Sequence, residues 1–400
     1  MHSKDNMSHM KTILDFLESA RRHDGHFAGL SGDADLKNAE TTHTVFHTAL
    51  VLLCLAPYAH LPEVKSFSKK SVAFLKKEKR KGWIWNYWKT GTSKFPPCDW
   101  DDTSCVLAAL SIFSPKDIDG SVLRSMAELL IHTELQSGGP YSTWIVPDDD
   151  KAKWQDKDIV VNANIAYALK LHDVKLPNLV EYADQCIATN SFSSKYYAST
   201  IVSLYFISKA YNGKLAAKAS QRILAKRQKS GLWKNDLETA LAISALLRFG
   251  QAQNSDNDTD NAGKDNGNAG NTSMRELLSA LRKPITYLKS LSKNKGWNAH
   301  ALYIEENHGK PTYSGSQALT AAFCFEAIAL YEKAEAQEAM RKETVAANKE
   351  ASRMKQKVIE ETLAYFENET MKSRAKFYVD MVMKKDPGNQ VTLLPYFFAK

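Results

Sequence analysis

The hexapeptide Gln228-Lys229-Ser230-Gly231-Leu232-Trp233 is the key to the architecture, because its core, a glycine followed closely by an aromatic residue, recurs along the chain. The other copies are Gly25-His26-Phe27, Gly82-Trp83, Gly138-Gly139-Pro140-Tyr141, a degenerate Ser191-Phe192 and Gly296-Trp297. Self-similarity of this kind marks stacked supersecondary units, none of which can bury its apolar face alone. Between the copies lie pairs of helical patterns. One is amphipathic, as at Ser66 to Lys79, and the other is almost wholly apolar, as at Thr103 to Phe113. Six copies predict twelve helices. An apolar helix alternating with an amphipathic one is most readily buried as the inner of two rings. The expected fold is all-α: an (α/α)6 barrel of six helix-pair repeats over residues 1–335, followed by a C-terminal helical extension over 336–400.

The predicted inner helices begin near Glu40-Thr41-Thr42, Asp101-Asp102-Thr103, Val161-Asn162-Ala163-Asn164, Ala198-Ser199-Thr200, Glu238-Thr239 and Gln317-Ala318-Leu319-Thr320. In a barrel these polar starts gather at one rim, either around a common mouth or simply as separate helix caps. Two segments depart from the repeat. Residues 251–273 are rich in Asn, Asp and Gly, with no apolar residue larger than alanine before the last of them, and read as a mobile insertion. From about Glu335 the chain is charged and helical, turns at Asp386-Pro387-Gly388, and ends in the apolar Leu393-Leu394-Pro395-Tyr396-Phe397-Phe398. That tail must dock on the barrel, on a partner or on a membrane.

At 44% hydrophobic and 24% charged residues, 400 residues can bury a large core. A net charge of +8 favours an anionic ligand or peripheral contact with an anionic membrane surface. The charge is scattered, and no nucleic-acid recognition motif is present, so nucleic acid is not expected. Five cysteines without a CxxC spacing argue against disulfides and a structural zinc site. With no apolar leader and no run near the ~18 residues of a membrane span, a cytoplasmic location is expected.

One cluster calls for a chemical explanation. Residues 98–104 read Cys-Asp-Trp-Asp-Asp-Thr-Ser, placing Asp99, Asp101 and Asp102 where a loop becomes an inner helix. Crowded carboxylates cannot all ionise cheaply, so one is pushed to keep its proton near neutrality and becomes a general acid. Alternatively, Asp99 caps the helix and Asp102 merely suits its dipole.

Asp99-Trp100-Asp101-Asp102-Thr103-Ser104 resembles the DxDD signature of the class II terpene cyclases. Gln228 to Trp233 resembles a shortened Gln-Trp repeat of the squalene-hopene type, with one spacer residue fewer. The resemblance spans roughly residues 10–335. It implies that Asp101 protonates a terminal alkene or epoxide of a linear isoprenoid while Asp99 and Asp102 hold it in place. It also implies a supporting donor, for which Asn164 is preferred over Asn162, His43 and His47; each histidine also reads as a satisfied core residue. The cation formed needs aromatic walls, since π-faces stabilise charge without attacking it. Candidates are Trp100, Trp85, Tyr197 and Phe323, with His43 near the substrate, although aromatics at helical spacing also serve as core. A prenyl diphosphate substrate would call for Mg2+, with Asp148 and Asp149 as hard-oxygen ligands. No class I metal motif is visible, so the diphosphate would stay on the product.

Members of that family usually carry a second helical barrel, for which this chain is too short. Substrate then enters the single barrel at the Asp101 rim, or the tail, a homodimer partner or a second subunit completes the chamber. Two alternatives share the architecture: a non-catalytic barrel that binds an isoprenoid or a partner, and a prenyltransferase-like subunit with Asp102, Cys105 and His308 as zinc ligands.

Overall fold

The computed structural model describes residues 4–92, 96–192, 194–197, 199–260, 273–294, 296–307 and 310–364. The apolar tail at 393–398 and His308 lie outside them. The chain divides into two compact units, Met1–Ala334 and Glu335–Lys400.

The first unit is a double ring of helices. The outer helices are α1 (Lys4–Ala20), α3 (Pro62–Lys77), α5 (Gly120–Thr133), α7 (Pro177–Thr189), α9 (Ala216–Ala225) and α11 (Met274–Asn294). The inner helices are α2 (Val45–Leu55), α4 (Trp100–Phe113), α6 (Ile159–Lys170), α8 (Thr200–Ala210), α10 (Asp236–Asp260) and the first part of α12 (Gln317–Ala364). Consecutive inner helices from α2 to α10 pack side by side. Arg248 of α10 pairs with Glu326 of α12, and Tyr58, just after α2, donates to Glu332 of α12, which closes the ring.

The division into rings follows from composition. Every residue of α2 from Val45 to Leu55 is buried, so that helix has no solvent face. On α3, by contrast, Val64, Phe67, Phe74 and Leu75 face inward while Lys65, Lys69, Lys70, Lys76 and Lys77 are exposed. Each buried Leu or Phe side chain contributes roughly 1.5–3 kcal/mol on leaving water, and both rings supply them.

The glycine-aromatic copies are the joints of the barrel. Gly231 has φ +86°, a left-handed conformation that a side chain disfavours, and the turn it makes lets Gln228 N donate to Leu232 O at 2.8 Å. Trp233, next in line, is buried, and its Nε1 donates to Ile223 O at 2.9 Å. Its backbone N donates to Thr239 Oγ1 in the first turn of α10 at 3.2 Å. The same lock recurs as Phe27 N to Thr48 Oγ1 (3.0 Å), Trp85 N to Thr103 Oγ1 (3.1 Å) and Tyr141 N to Asn162 Oδ1 (2.8 Å). Each joint thus ties the turn after an outer helix to the start of the next inner one.

Two features differ from the sequence reading. The segment Glu40-Thr41-Thr42 does not open an inner helix but forms strand β2 (Glu40–His43), in line with the extended preference of β-branched residues. With β1 (Ala28–Gly32), β3 (Ala301–Asn307) and β4 (Lys310–Gly315) it makes an antiparallel sheet in the order β2-β1-β4-β3. The β1–β4 pairing, Leu30 opposite Gly315, joins the first repeat to the last just where α2 and α12 begin. Gly315 is required there, since a Cβ would lie 1.9 Å from His300 O. Second, α10 continues to Asp260, so the start of the expected 251–273 insertion is helical; residues 261–272 lie outside the described part.

The described part of the second unit, residues 335–364, is helical throughout, with Met340, Val345 and Met354 exposed. Among the described residues, no helix is long and apolar enough to cross a membrane.

Candidate active site

Asp99 caps α4: its backbone is extended (φ −138°, ψ 168°) and its Oδ1 accepts from Asp102 N at 2.7 Å. The capping alternative is therefore correct for Asp99, and it fixes the register of the next two carboxylates. Asp101 and Asp102 follow in the first turn. Asp102 is buried, while Asp101 is only half-buried.

Loops hold the motif from outside. Trp100 N donates to Thr143 O at 2.8 Å, Ile145 N donates to Cys98 O at 2.9 Å, and Asp99 bridges Trp144. The Trp144 ring is wedged against Trp154 and Tyr196. None of these supports stood out in the sequence, because they depend on how the 141–156 segment folds back on the motif.

Asp101 is engaged on both oxygens. Asn164 Nδ2, one turn inside α6, donates to Oδ1 at 2.6 Å, and Tyr197 OH donates to Oδ2 at 2.5 Å. Asp158, the N-cap of α6, binds the Ser194 hydroxyl, whose Oγ in turn accepts from Tyr197 N at 3.1 Å, so the α6 cap also positions the tyrosine. Asn164 is the donor favoured at the sequence level. Tyr197 was expected to line the substrate site, and it touches the acid itself.

The electrostatics separate the three carboxyls by role. Burial, reinforced by the charge of Asp99, raises the Asp101 pKa to about 7 against the opposing bonds from Tyr197 and Asn164. Burial likewise raises Asp99 to about 6. Asp102 is pushed well above the usual carboxylate range by burial and by the charge of Asp99. Burial and neighbouring charge thus push all three carboxyls toward the protonated form, and of the three only Asp101 is half-buried.

The remaining predicted residues fall into two groups. Tyr197, Phe206, Tyr205 and Phe323 form a continuous run of ring contacts with centroids 5.4, 5.1 and 5.3 Å apart, leading from the partner of Asp101 to α12. Phe323 belongs to this run; Phe206 and Tyr205 were missed, since α8 reads as uniformly apolar. Trp100 and Trp85 are corrections. Both are completely buried, and their Nε1 atoms donate to Thr133 Oγ1 and Leu75 O, which directs the rings into the wall between the two helical layers. His43 is also corrected. It lies on β2 rather than on a helix with His47, and its Nδ1 meets His26 Nε2 at 2.8 Å in a chain that continues to Asp24. His47 is a core histidine, wholly buried beside Thr44 and held neutral by burial.

Asp148 and Asp149 lie in an exposed 3-10 turn, Asp148–Lys153, where Asp148 pairs with Lys151 at 2.7 Å. Among the described residues no group of three or more His, Cys, Asp or Glu side chains is arranged to hold a metal ion; His308 of the zinc alternative lies outside them.

Comparison with solved structures gives the fold its name. The type II terpene cyclase MstE of Scytonema, in a Tyr-to-Phe variant without ligand, superposes with a TM-score of 0.59 at 15% identity, over 82% of this chain and 98% of that one. The fold is that of the type II terpene cyclases. An Asp-to-Ala variant of MstE in complex with its product, merosterolic acid A, gives 0.54 at 16% identity over 82% and 97% of the two chains. A protein from Actinoplanes gives 0.57 at 15% identity over 82% and 99%. No protein-family model matches the chain, and neither does any curated protein. The matched region spans nearly the whole of each of these three neighbours.

Proposed function

We propose that this protein is a protonation-initiated terpene cyclase that converts a linear isoprenoid to a cyclic isomer, with Asp101 as the general acid. One observation carries the reading. In the first turn of α4 a half-buried carboxyl has both oxygens engaged by neutral donors, and one of these, Tyr197, begins a run of aromatic ring contacts.

Protonating an alkene is hard for an ordinary carboxylic acid, so the site must favour both the protonated resting form and the carboxylate left behind. Burial and the charge of Asp99 supply the first. Asn164 and Tyr197 supply the second, because their bonds strengthen as negative charge develops on Oδ1 and Oδ2, and the α4 N-terminus adds its dipole. Each donor occupies one lone pair, which leaves the proton on the side open to a substrate. The alkene π pair, or an epoxide oxygen, takes that proton; the cation is then captured by internal double bonds; and loss of a proton from the final cation returns the charge balance, leaving an isomer of unchanged mass. The rings of Tyr197, Phe206, Tyr205 and Phe323 are suited to shielding the intermediate cations.

The test is incubation with geranyl, farnesyl and geranylgeranyl diphosphates, the corresponding alcohols and acids, and squalene, followed by mass-resolved chromatography, with Asp101→Asn alongside. A cyclic isomer made by the wild type and absent with the variant bears out the reading. Isoprenoid binding without turnover, and unaffected by Asp101→Asn, would instead mark a non-catalytic binding barrel.

A further inference from the structure

The barrel interior holds a second polar constellation that the protonation chemistry does not use. Lys209 near the end of α8, Arg248 on α10 and Glu326 on α12 meet there, with Tyr167 of α6, Tyr205 of α8 and Cys54 of α2 within the same electrostatic neighbourhood. Side chains from so many inner helices can converge only on the barrel axis. Glu326 is engaged on both oxygens: Oε1 accepts from Arg248 Nη2 at 2.5 Å and Oε2 from Tyr205 OH at 2.6 Å.

The cations are not so engaged. Lys209 is 4% exposed, and among the described residues its Nζ has no hydrogen-bond acceptor; the Tyr167 and Tyr205 rings, 4.5 and 5.5 Å away, are its nearest support. Among the described residues Arg248 Nη1 also lacks an acceptor, while its guanidinium lies 5.2 Å from the Tyr205 ring. Two basic groups therefore face one carboxylate, and burial lowers the Lys209 pKa, as expected of an ammonium without a partner in a place where that is costly. Lys170, exposed, donates to Lys209 O at 3.1 Å and adds positive charge at the edge of the cluster. Buried cations with free donors around a common ring are the composition of an anion receptor.

We infer that Lys209 and Arg248 form an oxyanion-binding site inside the barrel, separate from Asp101, whose ligand is a diphosphate, phosphate or carboxylate group. The group comes from one of two sources, the head of an isoprenoid substrate or a free oxyanion. Asp101 is at the start of α4 and Lys209 near the end of α8, and both helices pack on α6, so the two sites are on the order of 10 Å apart along the barrel by helix rise. A folded isoprenoid spans that distance.

Thermal unfolding with inorganic pyrophosphate, inorganic phosphate and acetate, on wild type, Lys209→Met and Arg248→Met, tests the site without reference to catalysis. At least one oxyanion should raise the wild-type Tm by a few degrees at saturation, and neither variant should respond. Lys209→Met should fold, and without ligand should be as stable as the wild type or more so, since it removes an uncompensated buried cation. No shift in the wild type, or equal shifts in all three proteins, overturns the proposal. Turnover of a prenyl diphosphate or prenyl carboxylate against the matching alcohol then separates the sources. If the site takes the head group, Lys209→Met loses roughly tenfold or more in kcat/KM for the charged substrate only. If the ligand is a free oxyanion, charged and neutral substrates respond alike. Absence of turnover with every substrate would count against the cyclase reading and leave the thermal result standing.

Discussion

The starts of α4 and α10 are nearly the same structure with different consequences. Asp99-Trp100-Asp101-Asp102-Thr103 and Asn235-Asp236-Leu237-Glu238-Thr239 align residue for residue. Asp99 Oδ1 accepts from Asp102 N at 2.7 Å, and Asn235 Oδ1 accepts from Glu238 N at 2.8 Å. Thr103 and Thr239 each receive the backbone N–H of the preceding joint tryptophan, Trp85 or Trp233. The difference lies at the second helical position. Asp101 is half-buried and met by Asn164 and Tyr197, whereas Leu237 is buried among apolar neighbours. Helix capping therefore explains most of an acidic cluster at a helix start, and the residue to examine is the one the cap does not need.

The largest effect expected from this comparison is at Asp101. Asp101→Asn should lower turnover by about 10³-fold or more, in line with loss of a general acid, while circular dichroism and Tm show an intact fold. The reciprocal change tests the fold instead of the chemistry. Leu237→Asp places a carboxylate where no Asn164 or Tyr197 answers it, and should cost about 3–5 kcal/mol in urea unfolding, against little change for Asp101→Asn.

Next come two opposite shifts in the pH profile. Turnover requires protonated Asp101, so it should fall as pH rises through about 7. Asp99→Asn keeps a capping oxygen but removes the charge that raises the Asp101 pKa, so the limb should move to lower pH. Tyr197→Phe removes a bond that lowers that pKa, so the limb should move to higher pH, with a reduced maximal rate because the departing charge is less well stabilised. Shifts in the same direction would contradict the assignment. Stability should follow the same protons. The folded pKa of Asp101 lies above the ordinary 3.8, so the folded state binds more protons over that interval and loses stability as pH rises from 3.8 to about 7. Asp101→Asn should flatten that slope. The smallest effect is at the other cap, where Asn235→Ala should cost about 1 kcal/mol in urea unfolding without altering the pH profile.

The ring of helices was legible in the chain because both of its signals are local. Glycine permits the left-handed turn at Gly231, and an apolar helix beside an amphipathic one has a single economical burial. The position of Asp101 was legible for the same reason, since a cap fixes register over one turn. Trp100 and Trp85 were misread because sequence gives the period of an aromatic but not its direction, and their indole N–H groups found acceptors in the helical wall.

By itself, then, the sequence determined the double ring of helices and the place of the acidic cluster at the start of an inner one. Only the tertiary structure decided the rest. Tyr197 lies 96 residues from Asp101, the Lys209–Arg248–Glu326 cluster draws on three separate repeats, and the β1–β4 pairing joins the two ends of the barrel. Contacts between distant repeats depend on where closure of the ring brings side chains, and no local pattern in the chain encodes that.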